Sequence, residues 1–336
     1  MVKFQASNIP VDPGDPFISV NKLTKAFDQL VAVNAIDFVV HQGELFGFLG
    51  PNGAGKTTTI NMLIGLARPD SGEIRIAGLD CSRNPKAAQH LIGVVPDESN
   101  LYPELSGYGN LCFCASLYGI LKHERHIRAS ELLIKFGLND AAHRRFGTYS
   151  KGMKRKLTIA AGIIHRPPVL FLDEPTTGID VASARQIRQL IADLHRDGTT
   201  IFLTTHYIEE AERLCERIAF IVDGKIVKID SVPNLLEPVL EKKTMILSVS
   251  IPARDLLDKL ETSFPELSFQ TVSDDQIRIE SSETIRIGPL LRFIEKNAAE
   301  VMEARRIRPS LEDVFVRLTG IELTVMKKEK EKGGNS

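Results

Sequence analysis

A glycine-rich segment placed between a strand pattern and a helix pattern constrains this chain more than any other feature. Residues 50–57 read GPNGAGKT, which is the spacing of a P-loop, with glycines in a tight turn ahead of a lysine and a threonine. The apolar run 45–49 precedes this segment, and helix formers follow it over residues 58–66. A buried strand that feeds a tight turn and then a helix is typical of α/β folds, so we expect an α/β domain.

The same segment has the chemistry of a phosphate-binding site. Backbone N–H groups in a glycine turn point at one oxyanion, and the N-terminus of the following helix adds positive potential. The Lys56 ammonium then reaches the β- and γ-phosphates, and the Thr57 hydroxyl ligates Mg²⁺. We predict that the nucleotide is held by Asn52, Gly53, Ala54, Gly55, Lys56, Thr57 and Thr58. A chance glycine-rich turn is the competing interpretation, but it would need neither the strand nor the helix.

Two adjacent acids follow a second buried run. Asp173 and Glu174 come directly after residues 169–172, which are all apolar. Ligands of α/β sheets bind at the carboxyl ends of the strands, so we expect both acids to face the phosphates. Asp173 is predicted to hold Mg²⁺, and Glu174 to be the base that orients and deprotonates the attacking water. Two acids at an exposed strand end without a function are the alternative, and the P-loop argues against it.

Apolar runs and amphipathic stretches alternate through the first two thirds of the chain. The runs 169–172 and 200–203 are apolar without alternation, as expected for strands that helices cover on both faces. Between them, apolar residues recur at helical spacing before Gly198, which predicts a strand, helix, strand crossover. Residues 101–160 are rich in helix formers and predict a helical insertion. We assign this domain to residues 17–235.

The pattern restarts after two prolines. Residues 240–322 predict a strand, a helix, two strands that form a hairpin, a helix and a strand, which is the order of a small α+β, ferredoxin-like domain. A last helix is predicted to begin at Ser310 as its N-cap and to end at Gly320. Residues 323–336 are charged and lack core-forming residues, so we expect a disordered tail. Residues 1–16 are expected to form a flexible arm.

Composition limits the classes of partner. The chain of 336 residues carries 42 basic and 43 acidic side chains, so no overall charge attracts it to nucleic acid, and we expect no nucleic-acid partner. No stretch approaches the roughly 20 apolar residues of a membrane-spanning helix, so another chain must provide any such span. The four cysteines match no zinc or disulfide spacing and suggest reduced thiols in the cytoplasm.

Further motifs resemble those of ABC ATPases. The stretch Tyr149-Ser150-Lys151-Gly152-Met153, about twenty residues before the acidic strand end, is similar to the signature that distinguishes ABC ATPases from other P-loop enzymes. Residues 175–180 (PTTGID) resemble the D-loop, with Asp180 at its end, and Thr204-Thr205-His206 resemble the segment of the switch histidine. These motifs occur in the family's order, so the chain resembles the ATP-binding subunit of an ABC transporter.

That resemblance implies a P-loop NTPase cassette with a RecA-like parallel-sheet core, an antiparallel β subdomain and the helical insertion. It implies ATP and Mg²⁺ as ligands, with Glu174 and His206 as catalytic residues. It implies a homodimer in which the signature of one copy faces the ATP of the other, through Ser150, Lys151, Gly152 and Met153. It also implies separate transmembrane permease subunits and a cytoplasmic position, peripheral on the inner face of the cell membrane.

Three positions need separate consideration. Phe27 matches the aromatic residue that stacks on adenine in the family, although a core phenylalanine is a real competitor. Asp97 stands where the family usually carries a glutamine, and an acid can still coordinate Mg²⁺ or a water molecule. Glu98 is the alternative for that role. The signature has Lys151 where glycine is common and Met153 where glutamine is common.

The C-terminal extension resembles the exporter branch related to drug-resistance and ABC-2-type systems, so we expect an exporter. The alternative is a non-transport ABC ATPase that acts on nucleic acid or the ribosome. Such proteins resemble tandem cassettes or a cassette split by a coiled coil, and the sequence has neither pattern. A catalytically silent module would have lost Glu174 or the P-loop. The basic run 154–156 is interpreted as a solvated helix face.

Overall fold

The structure is a computed structural model that describes residues 15–81, 83, 85–240, 243–307 and 310–321, with only the backbone for 238–240. The predicted arm, apart from residues 15 and 16, and the predicted tail at 323–336 lie outside the described residues. Within the described residues, no helix is both long enough and apolar enough to cross a membrane.

The described residues pack into two units, one of residues 15–231 together with Ile321 and one at Val232–Gly320. The strands of the first unit are β1 (Ile18–Phe27), β2 (Leu30–Val40), β3 (Leu45–Leu49), β4 (Ser71–Ile76), β5 (Leu79–Asp80), β6 (Ile92–Val95), β7 (Val169–Asp173), β8 (Thr200–Thr205), β9 (Arg217–Val222) and β10 (Lys225–Ser231). Its helices are α1 (Lys56–Leu63), α2 (Pro85–His90), α3 (Gly107–Leu117), α4 (Lys122–Lys135), α5 (Lys151–Gly162), α6 (Val181–Arg196) and α7 (Ile208–Leu214).

The central sheet of this unit has the strand order β10-β9-β3-β8-β7-β6. Strands β9, β3, β8, β7 and β6 run parallel, and β10 pairs antiparallel with β9. Every residue of β3, β7 and β8 is buried, which explains why these strands read as apolar runs without alternation. The predicted parallel α/β core is confirmed. Helices α3, α4 and α5 occupy the stretch in which the helical insertion was predicted.

A second, antiparallel sheet of order β2-β1-β4-β5 shares one core with the parallel sheet. Five phenylalanine rings meet there, with neighbouring ring centroids 5.5 to 5.8 Å apart: Phe38, Phe46, Phe48, Phe171 and Phe202. Aromatic side chains bury large areas and pack well in tilted or offset arrangements. Packing of these side chains therefore joins the two sheets, and a backbone hydrogen bond of 2.8 Å from the Asn34 N–H on β2 to the Gly224 carbonyl oxygen, in the turn between β9 and β10, adds to it.

The second unit contains α8 (Val232–Leu240), β11 (Lys243–Val249), α9 (Arg254–Ser263), β12 (Ser268–Ser273), β13 (Gln276–Ser281), α10 (Ile287–Lys296), β14 (Val301–Ile307) and α11 (Leu311–Thr319). Its four-stranded sheet has the order β12-β13-β11-β14 with every pair antiparallel, and this order confirms the predicted ferredoxin-like fold. A separate core lies under α9 and α10.

The first and last helices of this unit can be compared with the predicted domain boundary and the predicted final helix. Ser310 and Asp313 form a capping box at the start of α11, and Gly320 follows the helix with a φ of 69°, as the sequence predicted. The unit begins at Val232, before the boundary that the prolines suggested. Pro233 lies in the first turn of α8, where its missing N–H removes no helical hydrogen bond, so the helix starts ahead of it.

Candidate functional site

The glycine-rich segment forms a narrow turn between the end of β3 and the start of α1. Gly53 and Gly55 have φ values of 79° and 103°, which glycine adopts without steric cost. A Cβ added to Gly55 would lie 2.4 Å from the carbonyl oxygen of Ala32 on β2. Because the turn runs this close to a neighbouring strand, only glycine fits at position 55.

Lys56 occupies the inside of this turn. Its side chain is about 5% exposed, and Nζ donates to the carbonyl oxygens of Gly50 at 2.8 Å and Pro51 at 3.1 Å. The same Nζ lies 3.3 Å from Glu174 Oε1. Thr57 follows in the first turn of α1 with an exposed side chain, so its hydroxyl remains accessible to a ligand.

Phe27 is at the end of β1, at the tip of the hairpin with β2. Its side chain is 51% exposed, so it is not the core residue that was the alternative interpretation. The Lys25 ammonium lies 5.4 Å from the centre of the ring. The strand β2 that pairs with β1 also touches the turn of the P-loop through Ala32, so the hairpin carrying Phe27 is attached to the phosphate site.

The two acids lie where β7 ends, beside the end of β8. Asp173 and Glu174 are only 5% and 8% exposed. Asp173 Oδ1 accepts a hydrogen bond from Thr204 Oγ1 at 2.5 Å, and the Glu174 N–H donates to the Thr204 carbonyl at 3.1 Å. Glu174 has a φ of 48°, a left-handed conformation that costs about 1–3 kcal/mol for a residue with a side chain. The structure therefore holds this acid in place against local strain.

His206 and Glu174 are in direct contact. His206 Nδ1 lies 2.7 Å from Glu174 Oε2, which also accepts from Thr177 Oγ1 at 3.1 Å. Burial, the largest single influence, raises the pKa of Glu174, but the hydrogen bond with His206 and the charge of Lys56 together outweigh it. The pKa of Glu174 is therefore below its ordinary value, and the group is ionised at neutral pH.

The signature residues begin α5. Ser150 is the N-cap, and its Oγ accepts from the Met153 N–H at 3.2 Å. A Cβ on Gly152 would lie 2.4 Å from Ser183 Oγ, so glycine is required there, while Lys151 is exposed. Within the described part of the chain, no hydrogen bond or ion pair joins residues 150–153 to the P-loop or to Glu174.

Asp180 begins the helix that approaches the signature. Its carboxylate accepts from the Ser183 N–H at 2.9 Å and is the N-cap of α6. Ser183 is also the residue that Gly152 packs against. The D-loop end and the signature of one chain are thus in contact, although within the described residues neither makes a hydrogen bond or an ion pair with the P-loop of that chain.

Asp97 is in contact with Arg155, a residue whose burial the sequence did not predict. The Arg155 guanidinium donates to the carbonyl oxygens of Pro96 and Asp97 and lies 3.6 Å from Asp97 Oδ1. Burial, the largest influence, raises the pKa of Asp97; the charge of Arg155 opposes it, and the charge of Glu174 adds to it. Half of the Asp97 side chain remains exposed, so it is accessible from outside.

The expectation that residues 154–156 form a solvated face is wrong for Arg155. This residue is 4% exposed because it shares the inward face of α5 with Gly152 and Ile159, three and four residues away. A second missed residue is Glu210 on α7, which is 3% exposed while its neighbour Glu209 faces solvent. Charge alone gave no signal for either, because the partners of Arg155 and one of the two partners of Glu210 are distant in sequence.

Comparison with known proteins agrees with these motifs. A family model for ABC transporters matches residues 33–177. The chain is 35% identical over 306 residues to the linearmycin resistance ATP-binding protein LnrL of Bacillus subtilis, which covers 90% of this chain and 98% of LnrL. It is 38% identical over 314 residues to a fluoroquinolones export ATP-binding protein of Mycobacterium tuberculosis, which covers 93% of this chain and 96% of the relative.

Solved structures match about two thirds of the chain. An ATP-binding subunit of an ABC transporter superposes with a TM-score of 0.61 at 29% identity, over 66% of this chain and 93% of that subunit. A dimeric ATP-binding cassette in a post-hydrolysis state, with ADP and phosphate bound, superposes with a TM-score of 0.59 at 26% identity, over 64% of this chain and 98% of the cassette. The chain therefore belongs to the ABC transporter family, as an ATP-binding subunit that hydrolyses ATP.

Proposed function

We propose that this chain is the motor subunit of an exporter and that it drives separate membrane subunits by ATP hydrolysis. The observation that carries the proposal is that similarity to export and resistance subunits extends over at least nine tenths of the chain, and so includes the C-terminal unit as well as the cassette. The relatives are named for linearmycin resistance and fluoroquinolone export. A drug of one of these kinds is therefore the cargo to test first.

The nucleotide is held by the P-loop and the hairpin beside it. Residues 52–58 surround the phosphates, with Lys56 as the cation, and the exposed ring of Phe27 stacks on adenine. The exposed Thr57 hydroxyl and the buried Asp173 carboxylate fit Mg²⁺, which takes one or two protein oxygens and completes its shell with phosphate oxygens and water. When bound, Mg²⁺ neutralises charge that develops on the phosphate oxygens.

Glu174 and His206 perform the hydrolytic step. The low pKa of Glu174 keeps its carboxylate ionised, so it can orient the attacking water and accept its proton. His206 shares a carboxylate oxygen with Thr177 and lies at the end of β8, from which it can donate to the γ-phosphate. Both residues are supported by adjacent parallel strands, which fixes the distance between the base and the donor.

A second copy of the chain completes each site. Ser150 and the N-terminus of α5 offer an anion site, yet within the described residues they make no hydrogen bond or ion pair with the P-loop of their own chain. In the proposed homodimer, Ser150, Lys151, Gly152 and Met153 of one copy face the ATP bound by the other. Asp180, at the start of α6, lies at the same boundary because Ser183 joins it to the signature.

We place the membrane subunit on a partly apolar surface of the cassette that includes side chains of the helical insertion. A groove of about 510 Å³ lies beside α2 and α3, and its lining includes Leu66 and Leu117, which are 74% and 68% exposed. Nearby in sequence, Tyr102 and Phe113 pack edge to face with centroids 5.0 Å apart and are also partly exposed. We propose that a cytoplasmic helix of the permease covers these side chains, which places the chain on the inner face of the membrane.

Purification from native membranes tests this proposal. The full chain should copurify with an integral membrane protein, and the reconstituted complex should move a fluorescent fluoroquinolone across the vesicle membrane only with ATP. The same complex with Glu174→Gln is the matched control and should bind ATP without transport. Recovery with ribosomes or nucleic acid instead, together with ATPase stimulation by either, would establish the alternative function.

A further inference from the structure

Glu210 on α7 is a buried acid that lies beside the catalytic pair, and within the described residues it makes no hydrogen bond to either member of the pair. Its Oε1 accepts a hydrogen bond from Thr176 Oγ1 at 2.8 Å, and its Oε2 accepts one from Thr205 Oγ1 at 3.0 Å. Thr205 Oγ1 also accepts from the Tyr207 N–H at 3.0 Å. A hydroxyl has one proton, so that of Thr205 is committed to Glu210.

The two threonines belong to the two segments that carry the catalytic residues. Thr176 lies two residues after Glu174, and Thr205 lies immediately before His206. Glu174 and His206 meet at 2.7 Å. A closed circuit therefore runs from Glu174 through Thr176 to Glu210, on to Thr205 and His206, and back to Glu174. Every link in it is either a short stretch of backbone or a hydrogen bond.

Stability does not explain why this position carries an acid. A buried carboxylate is costly unless it is paired, and an apolar side chain of similar volume often serves stability as well or better. Within the described residues Glu210 has no ion pair at contact distance; Arg188 acts on it only as a more distant charge. Burial raises the pKa of Glu210, against the lowering effect of the two threonine hydroxyls. Two acceptor oxygens at a fixed spacing are what an apolar residue cannot supply.

Glu174 also needs support from its own segment. Its left-handed φ of 48° is strained, and such a conformation persists only where neighbouring contacts fix it. The hydrogen bond from Thr176 to Glu210 fixes the backbone two residues further along. On the other side, the hydrogen bond from Thr205 fixes the end of β8 at the residue before His206.

We propose that Glu210 is a positioning residue for ATP hydrolysis. Its two oxygens hold the segment after Glu174 and the end of β8 at one separation, so that the base and the histidine approach the γ-phosphate as a unit. Glu210 does this without touching the nucleotide. It therefore acts on the rate of hydrolysis and not on the affinity for ATP.

Steady-state ATPase measurements on the full chain test the proposal with Glu210→Leu and Glu210→Gln. The leucine variant removes both acceptors at similar volume, so kcat should fall about tenfold or more while KM for ATP changes less than about twofold. Glutamine keeps the shape and one acceptor oxygen, so Glu210→Gln should recover much of the lost kcat. Glu209→Gln is the matched control: it changes the adjacent acid on the same helix, which is exposed, and should keep the wild-type kcat.

A folded Glu210→Leu variant with the wild-type kcat would overturn the proposal. A fall of kcat together with an equal loss of ATP binding would also overturn it, because that pattern marks a general loss of folding. If the leucine variant does not fold, Thr176→Val and Thr205→Val decide the question, since each removes one hydrogen bond and keeps the side-chain shape. A lowered kcat with unchanged KM in both supports the proposal, and a wild-type kcat in both refutes it.

Discussion

Lys56 and Glu174 form an ion pair of 3.3 Å at the mouth of the P-loop, with both side chains buried. His206 holds the other oxygen of the same carboxylate. The γ-phosphate is a stronger partner for the Lys56 ammonium than a single carboxylate, because it carries more charge and more acceptor oxygens. We infer that, when ATP binds, the Lys56 ammonium pairs with the γ-phosphate instead of with Glu174. One Glu174 carboxylate oxygen is then free to accept a hydrogen bond from the attacking water.

Replacing Glu174 with glutamine should abolish repeated turnover and preserve ATP binding. The amide keeps the size of the side chain but cannot accept the water proton, so kcat should fall about 100-fold or more. The P-loop that holds the phosphates is unchanged. Measurement of ATPase rate and of nucleotide affinity on the same protein separates the two effects, and ATP should now stabilise a dimer. Turnover near that of the wild type would remove Glu174 from its assigned role.

Mixing two inactive variants should restore part of the activity. Ser150→Arg blocks the signature, and Lys56→Ala removes the ammonium group from the phosphate site. Each homodimer therefore has two defective sites. A mixed dimer has one site built from an intact P-loop and an intact signature. ATPase activity of the mixture should therefore exceed that of either variant alone. Heterodimers that form, as shown by differential tagging, and yet remain inactive would argue against sites shared between copies.

Alanine substitutions at positions 97 and 98 should show which of these two acids links ATP at the P-loop to the permease. Asp97→Ala is expected to lower permease-stimulated ATPase and transport far more than ATP affinity, because Lys56 and the P-loop amides still hold the phosphates. Glu98→Ala tests the alternative residue. The assay is stimulated turnover in reconstituted vesicles. Wild-type behaviour of Asp97→Ala beside a strong defect in Glu98→Ala would assign the role to Glu98.

His165 should make the folded chain sensitive to mild acid. Its Nε2 lies 3.0 Å from the Ile92 carbonyl oxygen, its ring stacks on Tyr118 at a centroid distance of 3.6 Å, and burial lowers its pKa to about 4. Because the pKa of His165 is lower in the folded chain than in the unfolded chain, the neutral ring favours the folded state. This contribution to the free energy of unfolding is fully present above about pH 6.5 and is lost as the pH falls toward 4.

The expected loss is about 1 kcal/mol for each pH unit in that window. Urea unfolding at pH 7 and pH 5 should therefore show a smaller change for His165→Gln than for the wild type, because glutamine can donate to Ile92 without titrating. His123→Gln, at an exposed position on α4, is the control and should behave as the wild type. An equal pH dependence in all three proteins would mean that His165 does not bind a proton on unfolding.

Local sequence patterns predicted the elements that have local causes. Apolar runs without alternation identified β7 and β8, because strands covered on both faces have no polar side. Ser310 identified the start of α11, because this N-cap residue and its capping-box partner are only three residues apart. The P-loop was recognisable because its glycines, lysine and threonine are contiguous. Each of these signals is contained in a short stretch of chain.

The sequence did not reveal features that depend on distant partners. Arg155 can be buried because the carbonyl oxygens of Pro96 and Asp97, nearly sixty residues away, accept hydrogen bonds from its guanidinium. Glu210 is buried through Thr176, whereas Glu209 beside it is exposed, and nothing in the local pattern separates the two. A charged residue is expected to be solvated unless its partners are known. The role of a buried charged residue can therefore be inferred only once the fold is known.

The cluster of phenylalanines between the two sheets has a consequence for how the cassette opens. Phe38 comes from the antiparallel sheet, and Phe46 and Phe202 come from the parallel one, so neither layer can separate without exposing the same rings to water. Backbone amides of β1 and β3 should then exchange their hydrogens with the solvent at similar, slow rates through one shared opening event. A Phe38→Ala variant should speed exchange in both strands together.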